Sequence, residues 1–132
     1  MNIKVSTEQG RVPVTVVHVE GNIDSSTYEA FHSDVEKSIK GGARNILIDL
    51  SQVAFVSSAG LRSFNILFNR LRDLSPDVSD EEMHKGISAG TYKSPHLKLL
   101  NPSKETLATL EASGFSMFID TFKDLKTAVA SF

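Results

Sequence analysis

The sequence predicts an α/β domain, a mixed β-sheet of about five strands with four helices packed on it. Three observations carry that expectation. The hydrophobic period switches repeatedly between about two and about 3.6 residues along the chain, so strands and helices alternate. Residues 45–50, NILIDL, form a near-continuous apolar run of strand length, as in a central strand covered on at least one face. Leu61, Phe64, Leu67, Phe68, Leu71 and Leu74 then make a broad helical stripe.

Taken in order, Ile3 and Val5 indicate a short first strand, and residues 12–19 a longer one rich in valine. A first helix starts near Asp24-Ser25-Ser26, with Tyr28, Phe31, Val35 and Ile39 as its apolar face and Gly41-Gly42 as its stop. The strand at 45–50 and the helix at 59–74 follow. Residues 97–100 read as a strand, 106–113 as a short helix ended by Gly114, and 116–119 as a last strand. Phe122, Leu125, Val129 and Phe132 give a C-terminal amphipathic helix. Between Ser75 and Pro95 the chain lacks sustained periodicity, and we expect a flexible insertion there. Right-handed crossovers should join the parallel strands.

At 132 residues with 40% hydrophobic content, residues 1–132 fit a single domain with a sizeable core. The 14 basic and 16 acidic residues leave a net charge of −2 without a basic cluster, which argues against nucleic acid as a partner. The chain has no cysteine, so disulfides, thiol nucleophiles and thiolate metal sites are excluded. No signal-peptide core or membrane-length run is visible, and a cytoplasmic protein is expected.

The stretch AFVSSAGLRSF, residues 54–64, sets two serines at the start of the second helix. Ser57 or Ser58 can cap that helix by accepting an amide hydrogen bond, while Ala59 and Gly60 allow close packing in its first turn. Nucleophilic catalysis finds no support, because the four histidines show no distinctive pairing and no Gly-x-Ser-x-Gly elbow is present. Asp24 has the composition of an N-cap for the first helix. Glu81, Glu82 and His84 read as a solvated charge run rather than metal ligands, and GISAGTYKSP lacks the Gly-Lys-Ser/Thr of a phosphate loop. No cofactor, metal or catalytic residue is expected.

GNIDSSTYEAF followed by NILIDLSQVAFVSSAGLRSF resembles the signature of the STAS domain family, in particular its bacterial anti-sigma factor antagonists. The likeness extends in element order to LKLLNPSKETLATLEASGF. It implies that Ser58, rather than Ser57, is the residue a partner kinase phosphorylates. Gly60 and Leu61 match the residues that follow that serine, and Asp24 matches an acidic residue near it. Ser57 stands where many phosphorylated members have Asp, and Ala59 where they often have Ser or Thr.

The resemblance therefore implies a non-enzymatic binding module. Its partner would be an anti-sigma factor of the GHKL serine kinase class, and phosphorylation of Ser58 would end the association. The expected contact surface is Asp24, Ser57, Ser58, Gly60, Arg62, Ile66 and Arg70, with Phe55 and the outward residues Ser63 and Asn69 beside it. The alternative is a STAS scaffold or accessory subunit of a sensory or transport complex that is not regulated by phosphorylation. Weak self-association stays open.

Overall fold

A computed structural model describes residues 1–132. The strands are β1 (Asn2–Gln9), β2 (Pro13–Glu20), β3 (Ile46–Gln52), β4 (Leu97–Leu100) and β5 (Thr121–Phe122). The helices are α1 (Tyr28–Lys40), α2 (Ser58–Leu74), α3 (Asp80–Ala89), α4 (Lys104–Ser113) and α5 (Leu125–Ala130). The sheet order is β1-β2-β3-β4-β5, with an antiparallel β1–β2 hairpin and parallel pairs elsewhere. This is the mixed five-stranded α/β sheet expected from the sequence.

Strand alternation divides the apolar residues between two faces. Val17, Val19, Ile46, Ile48, Leu50, Leu97 and Leu99 face α1 to α4 in a cluster of 22 buried residues, which is therefore the main core. Val14, Val16, Leu47 and Leu100 face the other way, where only Ala128 and Val129 of α5 complete a cluster of 6. That second face is covered at one end and open at the other. Phe31 meets Phe64 edge-on with ring centroids 5.7 Å apart, which locks α1 against α2. No helix is long and apolar enough to cross a membrane.

Four local expectations need correction. The segment 75–95 holds a capped helix rather than a continuous loop: Ser79 accepts the Glu82 amide at 3.1 Å, and Gly90 closes α3 at φ +74°. Arg72 of α2 ties it down by donating to Asp80 and to the Val78 carbonyl, both at 2.9 Å, while Met83 is buried. Residues 116–119 are not a strand. After Gly114 the chain makes a 3-10 turn, Phe115–Met117, because Phe118 packs on Phe68 at 5.0 Å, and the last strand comes later as β5. The first strand is eight residues long, since its pairing runs from Asn2 opposite Glu20 to Gln9 opposite Pro13. Finally, α1 starts at Tyr28, so Asp24 lies in the turn before it.

Candidate functional site at the start of α2

The loops that leave β2 and β3 meet at one end of the sheet. Ile23 and Val56 form an isolated parallel bridge, in which the Ile23 amide donates to the Phe55 carbonyl at 3.2 Å and the Ser57 amide to the Ile23 carbonyl at 2.9 Å. The Asn22 side chain accepts the Phe55 amide at 3.0 Å. On the far side Ser103, the N-cap of α4, donates its hydroxyl to the Ala54 carbonyl at 2.9 Å. Residues 54–57 are thus fixed from both sides, and the turn holding Asp24 lies against the entrance to α2.

Ser57 is the cap. Its backbone is extended and its Oγ accepts the Gly60 amide at 3.4 Å, which leaves Ser58 as the first helical residue, exposed and free of the capping role. The amides of Ser58 and Ala59 have no hydrogen-bond partner within the chain, as expected for the first turn of a helix. The first turn of α2 also carries no acidic residue.

Gly60 is buried, so it cannot touch a partner directly. A Cβ at this position would lie 2.6 Å from Val56 Cγ1 and 2.8 Å from the Ile23 carbonyl oxygen. Its contribution is to let the two loops close over the helix.

Asp24 does not cap α1 as an N-cap residue; Thr27 occupies that position and makes no side-chain cap bond. Asp24 instead builds an Asx turn, its Oδ1 accepting the Ser26 hydroxyl at 2.7 Å and the Ser26 amide at 2.9 Å. Those Ser26 bonds hold its carboxyl below the ordinary value of 3.8, so the turn that follows Ile23 carries a negative charge.

Arg62, Asn65, Ile66 and Asn69 line the outward side of α2, with Ile66 at 47% exposure and Phe55 at 44%. Two residues differ from that expectation. Ser63 is buried, and Arg70 is half-buried because its Nε donates to Glu36 of α1 at 2.9 Å. Of the predicted contact residues, Asp24, Ser57, Ser58, Arg62 and Ile66 are therefore accessible or partly accessible, in the turn before α1 and from the start to the middle of α2, whereas Gly60 is buried beneath and Arg70 is committed to α1.

The structure also pairs one of the four histidines, none of which shows a distinctive pairing in the sequence. On the open sheet face His18 Nδ1 lies 2.7 Å from Asp49 Oδ2 and its Nε2 lies 3.1 Å from Ser6 Oγ. Burial pushes the Asp49 carboxyl up, but the hydroxyl and amide of Ser51 together with His18 outweigh it and leave it lowered. Hydroxyl, imidazole and carboxylate in this order can support a nucleophile. The adjoining cleft is only about 170 Å³ and is lined by Lys4, His18 and Asp49 but not by Ser6, so the hydroxyl faces no substrate-sized cavity. The signal was the register, in which His18 sits beside Asp49 across β2 and β3. Period-2 patterning alone does not reveal register.

Comparison with known proteins bears on both fold and family. No curated protein matches the chain. Among solved structures, a putative anti-sigma factor antagonist from Thermotoga maritima is 12% identical with a TM-score of 0.71, the match covering 96% of this chain and 90% of that one. An anti-sigma factor antagonist from Mycobacterium paratuberculosis is 18% identical with a TM-score of 0.68, covering 98% and 93%. The Bacillus cell fate determinant SpoIIAA in its phosphorylated form is 14% identical with a TM-score of 0.64, covering 97% and 96%. At such identities the likeness is one of fold. The family model of the STAS domain matches residues 4–78, more than half of the 132, and the chain belongs to the STAS domain family.

Proposed function

We propose that this protein is an anti-sigma factor antagonist. It binds a serine-kinase-type anti-sigma factor through the accessible end of α2 and the Asp24 turn, and phosphorylation of Ser58 switches the binding off. The observation that carries the reading is the placement of Ser58. Its hydroxyl is exposed and uninvolved in capping, and it stands beside two unpaired amides at the positive end of a 17-residue helix. A phosphate of about −1.5 to −2 charge can settle on those amides without disturbing the fold. Arg62, one helical turn further on, has no ion-pair partner in the chain and can reach toward the phosphate. In a closely packed interface the same charge must shed water beside the ionised Asp24, and that cost falls on the complex alone.

The role needs no catalytic group in this chain. The anti-sigma factor supplies the kinase, and its release governs a sigma factor in the cytoplasm. The structural neighbours named for anti-sigma antagonism support this choice over a scaffold or transport subunit. The test is to capture partners from native cells, identify them by mass spectrometry, and incubate the captured kinase with this protein and ATP. Phosphate on Ser58, with Ser58→Asp binding at least tenfold more weakly, about 1.4 kcal/mol, is the expected result. Phosphate on Ser57 alone, or Ser58→Asp bound as tightly as wild type, overturns the switch. Recovery of a transport or sensory assembly without a kinase favours the scaffold.

A further inference from the structure

We infer that the outer edge of β1 is a self-association surface, on which a second copy of this chain pairs antiparallel through its own β1. The strand is eight residues long and has a neighbour on one side only. Two usual protections of an edge are missing, since the strand contains no proline and pairs with β2 in regular register from Asn2 to Gln9, and the charges it carries, Lys4 and Glu8, are of opposite sign. Val5 on this edge strand is 49% exposed.

The direction of its free backbone groups follows from β2. The Thr15 amide donates to the Asn45 carbonyl at 2.8 Å, toward β3 and away from β1. Thr15 and its partner Thr7 are therefore a non-hydrogen-bonded pair. By alternation the amides and carbonyls of Ile3, Val5, Thr7 and Gln9 point outward, while those of Asn2, Lys4, Ser6 and Glu8 are used by β2.

Two copies related by a twofold axis can bond only where outward residues oppose outward residues. Full overlap, Asn2 opposite Gln9, breaks that condition. The register with Val5 opposite Thr7 and Ile3 opposite Gln9 meets it. This register also sets Lys4 opposite Glu8 twice, with Ser6 opposite itself, all on the face that carries His18. Neither Lys4 nor Glu8 has an ion-pair partner in its own chain. The alternative with Val5 opposite Val5 sets Lys4 against Ser6 and Asn2 against Glu8, and matches no charges. Opposed unlike charges favour the first register.

A single strand pair buries less than a standard interface, so the dimer is weak. Sedimentation velocity on the full chain from about 10 µM to about 1 mM should show the mass rising toward two protomers. Lys4→Glu, which opposes like charges twice, should weaken the dimer roughly tenfold or more, and Lys4→Glu with Glu8→Lys should restore it. Thr7→Pro removes an outward amide while sparing the bonds to β2, and should leave a folded monomer. A wild type that stays at one protomer throughout, or is dimeric with Thr7→Pro unaffected, overturns the edge pairing. A dimer lost with Thr7→Pro but indifferent to Lys4→Glu overturns the register and with it the proposal.

Discussion

The carbonyl oxygen of Ile23 overhangs Gly60 so closely that a Cβ there would lie 2.8 Å from it, and the same oxygen accepts the Ser57 amide at 2.9 Å. One backbone atom thus positions both the first turn of α2 and the cap in front of it. In an ordinary helix Gly→Ala stabilises by up to about 1 kcal/mol. Here the new methyl meets backbone, which yields less readily than a side-chain end. We expect Gly60→Ala to destabilise by about 1–3 kcal/mol and to weaken partner binding although residue 60 touches no partner. A denaturant midpoint at or above the wild-type value would show that the overhang yields freely.

The two serines should separate by stability. Ser57→Ala loses the capping acceptor and should cost about 0.5–1 kcal/mol, the low end because the Ser57–Gly60 bond is long at 3.4 Å. Ser58→Ala removes an exposed hydroxyl with no partner, and should stay within about 0.5 kcal/mol of wild type. Urea titrations of both variants make the comparison, and a larger loss at Ser58 would contradict the cap assignment.

The arginines of α2 should also part company. Arg62→Glu should leave stability unchanged and lower affinity for the proposed anti-sigma factor partner. Arg70→Glu faces Glu36 with a like charge, and should cost up to about 1 kcal/mol, since the pair is partly exposed. Adding Glu36→Arg should recover most of it. Equal stability loss in the two single variants would mean that Arg62 also serves the fold.

Most of this arrangement was legible because it rests on local periodicity. The stripe from Leu61 to Leu71 and the run in β3 are long and strongly patterned, and the structure places them as a helix and a buried strand. The sequence sets both serines at a helix start, but which one caps depends on backbone geometry one residue wide. The helix α3 leaves little trace in the sequence because Met83 and Ile87 are nearly its only apolar positions, although Ser79 with Glu82 three residues on is a capping-box pattern. The Ile23–Val56 bridge and the His18–Asp49 pair arise from contacts distant in sequence, which no window of sequence contains.

Acid should act on this protein in two windows. Burial holds the His96 imidazole below its ordinary 6.5, with Asp77 opposing, and its Nδ1 lies 2.9 Å from Asn45 Oδ1. The unfolded chain therefore binds more protons just below pH 6.5, so stability is full above that value and is lost as pH falls through the folded pKa. The carboxyls of Asp24, Asp49 and Asp124, all lowered, add their loss only as pH falls below 3.8. Urea midpoints measured at about pH 7 and about pH 5.5 should decline for wild type and decline less for His96→Gln. An identical decline in the variant would assign the upper window to another group.

The last prediction concerns the segment between α2 and β4. A mobile connector would contribute nothing to stability, whereas α3 is held by its Ser79 cap, by Arg72 and by one apolar anchor, Met83, at 6% exposure within the main core cluster. Tyr92 closes the other end of the segment. Its side chain is packed edge-on against Phe68 at 6.3 Å, and burial together with Asp77 pushes its hydroxyl up to about 12. Gly86 fits beneath it, since a Cβ there would lie 2.7 Å from Tyr92 Cβ. Removing the Met83 side chain leaves a cavity under a helix that cannot easily collapse, because Arg72 fixes its start and Gly86 its close approach to Tyr92. Met83→Ala should therefore cost about 2–4 kcal/mol, while Glu81→Ala on the solvent side of the same helix should change stability by less than about 0.5 kcal/mol. Hydrogen exchange gives the second readout. The amides of the second half of α3 should be protected in wild type and exchange much faster in Met83→Ala, with β3 unchanged. If Met83→Ala matched wild type in both measurements, the segment would be a tolerated insertion lying on the core rather than part of it.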